Sequence, residues 1–157
     1  GTGLMGQALS EEGYSNIHGI DLSPEMLAAA QAREIYQGLK VGNLTDLPYE
    51  TNSYDHVLSA GTIGVAPKES LDELIRVVRP NGFIIFSNRT IEHMDGGFQT
   101  HQDYLERQKL WEQKFFSGPL AGDTKKKDNP FVVFVYQVTK PYSNGTPLHS
   151  VQSSDGE

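Results

Sequence analysis

Short apolar runs alternate with amphipathic stretches along most of this chain. Ile17 to Asp21, Leu39 to Asn43, Tyr54 to Ala60 and Phe83 to Ser87 are brief apolar runs bounded by turn residues, the size of buried strands. Helical spacing fills the gaps between them. Leu4 to Glu12 reads as a helix ended by Gly13. A second helix opens on Ser23-Pro24-Glu25, a cap, a proline at the first helical position and an early acid. It continues through Met26, Leu27, Ala30 and Ile35 until Gly38 closes it. A third, Glu69 to Arg79, repeats Leu71, Leu74, Ile75 and Val78 on one face, and Pro80-Asn81-Gly82 breaks it.

Beyond Ser87 the pattern changes. A polar loop, Asn88 to Gln99, leads into an amphipathic helix expected over Gln102 to Lys114. Phe115 to Ala121 and Phe131 to Val138 are read as two strands of a hairpin around a charged tip, with Trp111, Phe115 and Phe116 expected in the core. The order strand, helix, strand predicts an α/β fold: a mostly parallel sheet with helices on both faces and a C-terminal antiparallel hairpin. Residues 1–140 are expected to form the domain. Residues 141–157, rich in Pro, Ser, Gly and Asn, are expected to be a disordered tail.

Composition narrows the possibilities. With 157 residues the chain is long enough for one domain with a real core. Its net charge of -7 argues against binding a phosphate backbone, so no nucleic-acid partner is expected. The basic run Lys125-Lys126-Lys127 is short and reads as a solvated loop tip. There is no cysteine, which removes disulfides, thiolate zinc sites and Cys nucleophiles and suits a reducing, cytoplasmic setting. No apolar run is long enough to span a membrane, and no membrane partner is expected. Three glycosylation triplets begin at Asn43, Asn88 and Asn144 and are read as accidental.

The chemistry concentrates at the start. Gly1-Thr2-Gly3-Leu4-Met5-Gly6 matches G-x-G-x-x-G, and Asp21 ends the next apolar run about 20 residues later, a spacing that fits a dinucleotide fingerprint. Glycines let backbone approach a ligand closely, and a carboxylate can accept from two ribose hydroxyls. The downstream residues point elsewhere. Gly1-Thr2-Gly3, Gly19 to Leu27, Asp46-Leu47-Pro48, Tyr54 to Val57 and Arg76 to Gly82, in that order, resemble a class I S-adenosylmethionine-dependent methyltransferase. Within that family the sequence looks closest to the methyltransferase-like group of the Williams-Beuren region, and the resemblance extends to about residue 140.

The resemblance implies a Rossmann-like sheet, S-adenosylmethionine as cofactor, and methyl transfer to a small-molecule or protein acceptor. It implies that Gly1, Thr2 and Gly3 pass under the methionine part of the cofactor and that Asp21 holds the ribose hydroxyls. Leu22 and Met26 would flank the adenine, Asn43 would accept from its amino group, and Leu44 would pack on the ring. Ser59, Ala60 and Gly61 would end the strand near the sulfonium. It also implies a strand just before Gly1, so the sequence is expected to be a fragment whose first central strand is missing.

Plainer roles compete with each of these. Asp21 could only cap the helix at Pro24, Met26 could be helix core, Asn43 an ordinary loop residue, and Asp46 and Asp55 structural. His18 and His56 fall inside strands, and His149 falls in the tail. His93 and His101 lie where a methyl acceptor's general base could stand, although a solvated loop histidine is the simpler reading. The general base is left unassigned, and no metal is expected. Two other readings remain: a non-catalytic methyltransferase-like binding protein, and an NAD(P)-binding oxidoreductase. Oligomeric state is not legible.

Overall fold

The computed structural model describes residues 1–89, 97–120 and 130–139. The predicted tail, the lysine run and His93 lie outside these. The chain divides into two compact units, Gly1–Pro48 and Tyr49–Glu157.

The first unit contains α1 (Leu4–Glu11), β1 (His18–Asp21), α2 (Pro24–Gln31) and β2 (Gly38–Val41). β1 and β2 pair in parallel, from His18 opposite Gly38 to Asp21 opposite Val41, with α2 as the crossover. Gly3 opens α1 in the left-handed region at φ 84°, where L side chains are disfavoured. A Cβ there would lie 2.9 Å from Arg33 Cδ and 3.1 Å from the Ala30 backbone. Ser23 caps α2 as expected, its Oγ accepting from Met26 N–H at 3.2 Å. α2 stops at Gln31, four residues before Ile35, because the chain turns through Glu34 at φ 56°. Ile17, Leu27, Ala30 and Leu47 form a small core.

The second unit holds β3 (Tyr54–Ala60), a 3₁₀ turn (Ile63–Val65), α3 (Ser70–Val77), β4 (Val78–Arg89), α4 (Phe98–Arg107), β5 (Trp111–Phe116) and β6 (Phe131–Val138). Strand order is β3-β4-β6-β5. β3 and β4 run parallel, and β6 pairs antiparallel with both β4 and β5, which is the expected C-terminal hairpin. Among the described residues, β1 pairs only with β2, and β3 only with β4. One face of the larger sheet carries Ile84, Phe86, Val132, Phe134, Tyr136 and Val138, all buried together with Leu71, Leu74 and Ile75 of α3 and Leu105 of α4. Phe86 and Phe134 stack at 5.1 Å, and Trp111 lies on Tyr136 at 4.0 Å between ring centroids.

Two expectations need correction. The helix over Gln102 to Lys114 is instead Phe98–Arg107, and the following strand begins at Trp111 and ends at Phe116 rather than running from Phe115 to Ala121. Lys109, at φ 54°, ends the helix, with Leu110 N–H bonded back to Leu105 O at 3.1 Å; a glycine would have signalled this stop, and a lysine does not. As a result Trp111 is buried, whereas Phe115 and Phe116 are largely exposed on the edge strand. The other correction concerns Pro80-Asn81-Gly82. It follows the end of α3 as expected but lies inside β4, which starts at Val78. Pairing jumps there from Tyr54–Val78 to His56–Phe83, so Arg79 to Gly82 bulge opposite Asp55, with Asn81 at φ 68° and Gly82 buried against the Asp55 carbonyl.

Candidate functional site

In the first unit the glycine turn and Asp21 meet. Asp21 Oδ2 accepts from the nitrogen of Gly1, and Oδ1 accepts from Ser23 N–H at 2.9 Å. The carboxylate therefore helps shape the entry to α2, as the plainer reading held, while also lying against the opening turn. Burial alone would raise its pKa. The bonds from Gly1, Ser23 and Leu22 outweigh that and hold it below the ordinary value.

Apolar side chains flank this carboxylate in sequence. Leu22 is 69% exposed and Met26 43%, so Met26 is not helix core. Both leave apolar surface open next in sequence to a charge, alongside the exposed Leu4, Met5, Tyr14 and Val41 of the same unit. Thr2 uses its carbonyl to accept from Arg33 Nε at 2.7 Å. Asn43, exposed, spends its Oδ1 on Thr45 N–H at 3.1 Å, a local turn, with Leu44 half-buried beside it. The Asn43 oxygen keeps a second lone pair. Asp46 also belongs to this turn, its N–H donating to Asn43 O at 3.2 Å.

The third glycine of the opening motif serves packing. A Cβ on Gly6 would overlap the ring and hydroxyl of Tyr36, so the residue seats α1 on that tyrosine.

Ser59, Ala60 and Gly61 stand at the C-terminal end of β3, in the second unit. Gly61 takes φ 68° and its N–H donates to Ser87 O at 2.9 Å, turning the chain out of the sheet. Asp55 is exposed and paired with Arg79 at 2.9 Å, a structural role. Both strand histidines are exposed; His56 Nδ1 accepts from Phe83 N–H at 3.2 Å.

His101 departs from the solvated-loop reading. It lies in the first turn of α4, only 11% exposed, with Nε2 2.9 Å from Oδ2 of Asp72, itself 7% exposed in the first turn of α3. Sequence reasoning missed Asp72. The available signal was an acid next to Leu71 on the apolar side of an amphipathic helix. Asn88, 2% exposed at the end of β4, accepts from Gly64 N–H at 2.7 Å. Among the described residues no cluster has the composition of a metal site. No helix among them is long and apolar enough to cross a membrane.

This is a Rossmann-like α/β fold with an acid and a glycine turn at the end of a parallel strand. The methyltransferase-domain family matches residues 1–86, more than half of the chain, and the protein belongs to that family. Family and fold imply S-adenosylmethionine as cofactor. Among curated relatives, human methyltransferase-like protein 27 is 33% identical over 120 residues, covering 71% of this chain and 48% of the relative. The chain spans about half the length of the curated relatives it matches. An S-adenosylmethionine-dependent methyltransferase of Mesorhizobium loti superposes with a TM-score of 0.69 at 15% identity, over 87% of this chain and 87% of that one. A chain from the Haloferax volcanii complex of the Trm112 methyltransferase activator gives 0.69 at 20% identity, over 91% and 80%. These two likenesses speak to the fold.

Proposed function

We propose that the protein transfers a methyl group from S-adenosylmethionine to a small-molecule or protein acceptor. The observation that carries this reading is the Asp21 carboxylate lying against the Gly1–Gly3 turn, with Leu22 and Met26 exposed close by in sequence. These residues suit the cofactor chemically. The Asp21 carboxylate accepts from Gly1, Ser23 and Leu22 and keeps a further lone-pair position for a ribose hydroxyl. Leu22, Met26 and Leu44 offer apolar surface to an adenine, and Asn43 offers a carbonyl to its amino group. Ser59, Ala60 and Gly61 are assigned to the sulfonium end.

When bound, the cofactor supplies an activated methyl group on a sulfonium. The protein's share is to hold both reactants in line and exclude competing nucleophiles. Asp21 is ionised at neutral pH, as a carboxylate ordinarily is, and can accept hydroxyl bonds. A reducing, cytoplasmic setting fits a chain without cysteine.

Calorimetric titration tests the reading. Heat with S-adenosylhomocysteine and none with NADH supports it. The reverse favours the oxidoreductase alternative, which rests on the literal glycine spacing. Binding without transfer to any acceptor favours a non-catalytic relative. Asp21→Ala should weaken S-adenosylhomocysteine binding by about 1–3 kcal/mol, the scale of lost charged hydrogen bonds. An unchanged dissociation constant would remove Asp21 from the site.

A further inference from the structure

We infer that Asp72 and His101 form a proton-accepting subsite for the methyl acceptor, built to receive a hydroxyl or an amine; the inference rests on the methyl-transfer reading above. Topology brings the pair to the sheet's rim. β3 and β4 are parallel, α3 starts after the connection leaving the C-terminal end of β3, and α4 follows the C-terminal end of β4. Asp72 and His101 occupy the first turns of those two helices and bond to each other across them. Ligands of open α/β sheets bind outside the carboxyl ends of the strands.

The bonding pattern fixes what the pair can do. A carboxylate only accepts, so in the neutral ring Nε2 carries the proton toward Asp72 and Nδ1 is left as an acceptor. Among the described residues nothing bonds to Nδ1. The second carboxylate oxygen, Asp72 Oδ1, is buried without a partner, and so is Nδ2 of Asn88 at the end of β4. Each such atom leaves a buried bond unmade, which a tie between two helices alone does not require. The unmet bonds next to the ring are two acceptors beside a negative charge. They favour a group with a proton to donate and oppose a carboxylate or phosphate. On the ring itself, Tyr104 of the same helix stacks at 5.9 Å between centroids.

The step balances. The acceptor's oxygen or nitrogen gains the methyl group and sheds its proton to His101 Nδ1, and the electron pair of the broken carbon–sulfur bond stays on the departing thioether. Asp72 acts as the positioning residue, fixing the tautomer and offsetting the imidazolium charge.

The test is long-range proton–nitrogen NMR on the full chain, saturated with S-adenosylhomocysteine, at constant pH. Ethanolamine, which carries both donor groups, is titrated in, and acetate serves as the control. The expected result is a proton on Nε2, a bare Nδ1, and an Nδ1 signal that moves saturably with ethanolamine and stays put with acetate. A purely structural tie would leave Nδ1 unmoved, which overturns the inference, as does a proton resting on Nδ1 or an equal response to acetate. Asp72→Asn should scramble the tautomers and abolish the response; should that variant fail to fold, the wild-type spectra decide. Calorimetry on the same sample separates the two readings. S-adenosylhomocysteine heat without an ethanolamine response sinks the subsite alone, and absence of that heat sinks the methyl-transfer reading beneath it.

Discussion

The two units spend their apolar residues differently. Among the described residues, four buried hydrophobic side chains lie in the first unit and fifteen in the second, so the second unit can stand on its core and the first cannot to the same degree. The first unit instead leaves Leu4, Met5, Leu22, Met26 and Val41 open. Residues kept out of a core are free to be selected for contact with something else. Two of them, Leu22 and Met26, follow Asp21 closely in sequence, the residue proposed to hold the ribose. The second unit also leaves Val65, Phe115, Phe116 and Leu120 open, but its core stacks Phe134 on Phe86 and Tyr136 on Trp111.

That contrast can be broken by substitution. Trp111→Ala should have the largest effect, destabilising the second unit by about 3–5 kcal/mol in denaturant unfolding followed by circular dichroism. A loss under 1 kcal/mol would mean the ring stack is not the core it looks to be. Tyr136→Phe comes next, at about 1–3 kcal/mol, because the hydroxyl accepts from Gln102 Nε2 at 3.3 Å and donates to Gln113 Oε1 at 3.0 Å. The same substitution carries a pH signature. Burial, with help from Glu106 and Asp103, pushes the Tyr136 pKa well above its ordinary 10. The unfolded chain therefore loses this proton first, and stability should fall as pH rises past about 10. Tyr136→Phe should flatten that alkaline decline; an identical slope would mean the phenol ionises equally in both states.

Smaller effects belong to the first unit. Ser23→Ala should cost about 1 kcal/mol through loss of the α2 cap, read from the unfolding midpoint. Leu22→Ser should leave stability within about 0.5 kcal/mol, as for an exposed residue, while weakening S-adenosylhomocysteine binding. A large stability loss there would show that Leu22 packs against protein rather than awaiting a ligand.

How far the sequence could be read follows the same division. β3 and β6 were legible to the residue, because their apolar runs are framed by turn residues and the strand period is short. The cap at Ser23 and the meeting of Gly1 with Asp21 were legible too, since glycine turns and capping acids leave local signatures. The helix stops at Glu34 and Lys109 were hidden, because left-handed turns there use residues with no steric preference for them. Asp72 was hidden for another reason. Its importance lies in a partner 29 positions away, and pattern along a helix cannot reveal what faces it across a gap.

The burial of Asn88 has a practical corollary. Its triplet with Arg89 and Thr90 satisfies the glycosylation rule on paper, yet the amide is enclosed at the end of β4 and clasped to the Gly64 backbone. An oligosaccharide transferase would have to reach that nitrogen before β4 joins the sheet. A sugar found on Asn88 in any expression host would thus mark molecules caught unfolded, a built-in tag for failed folding.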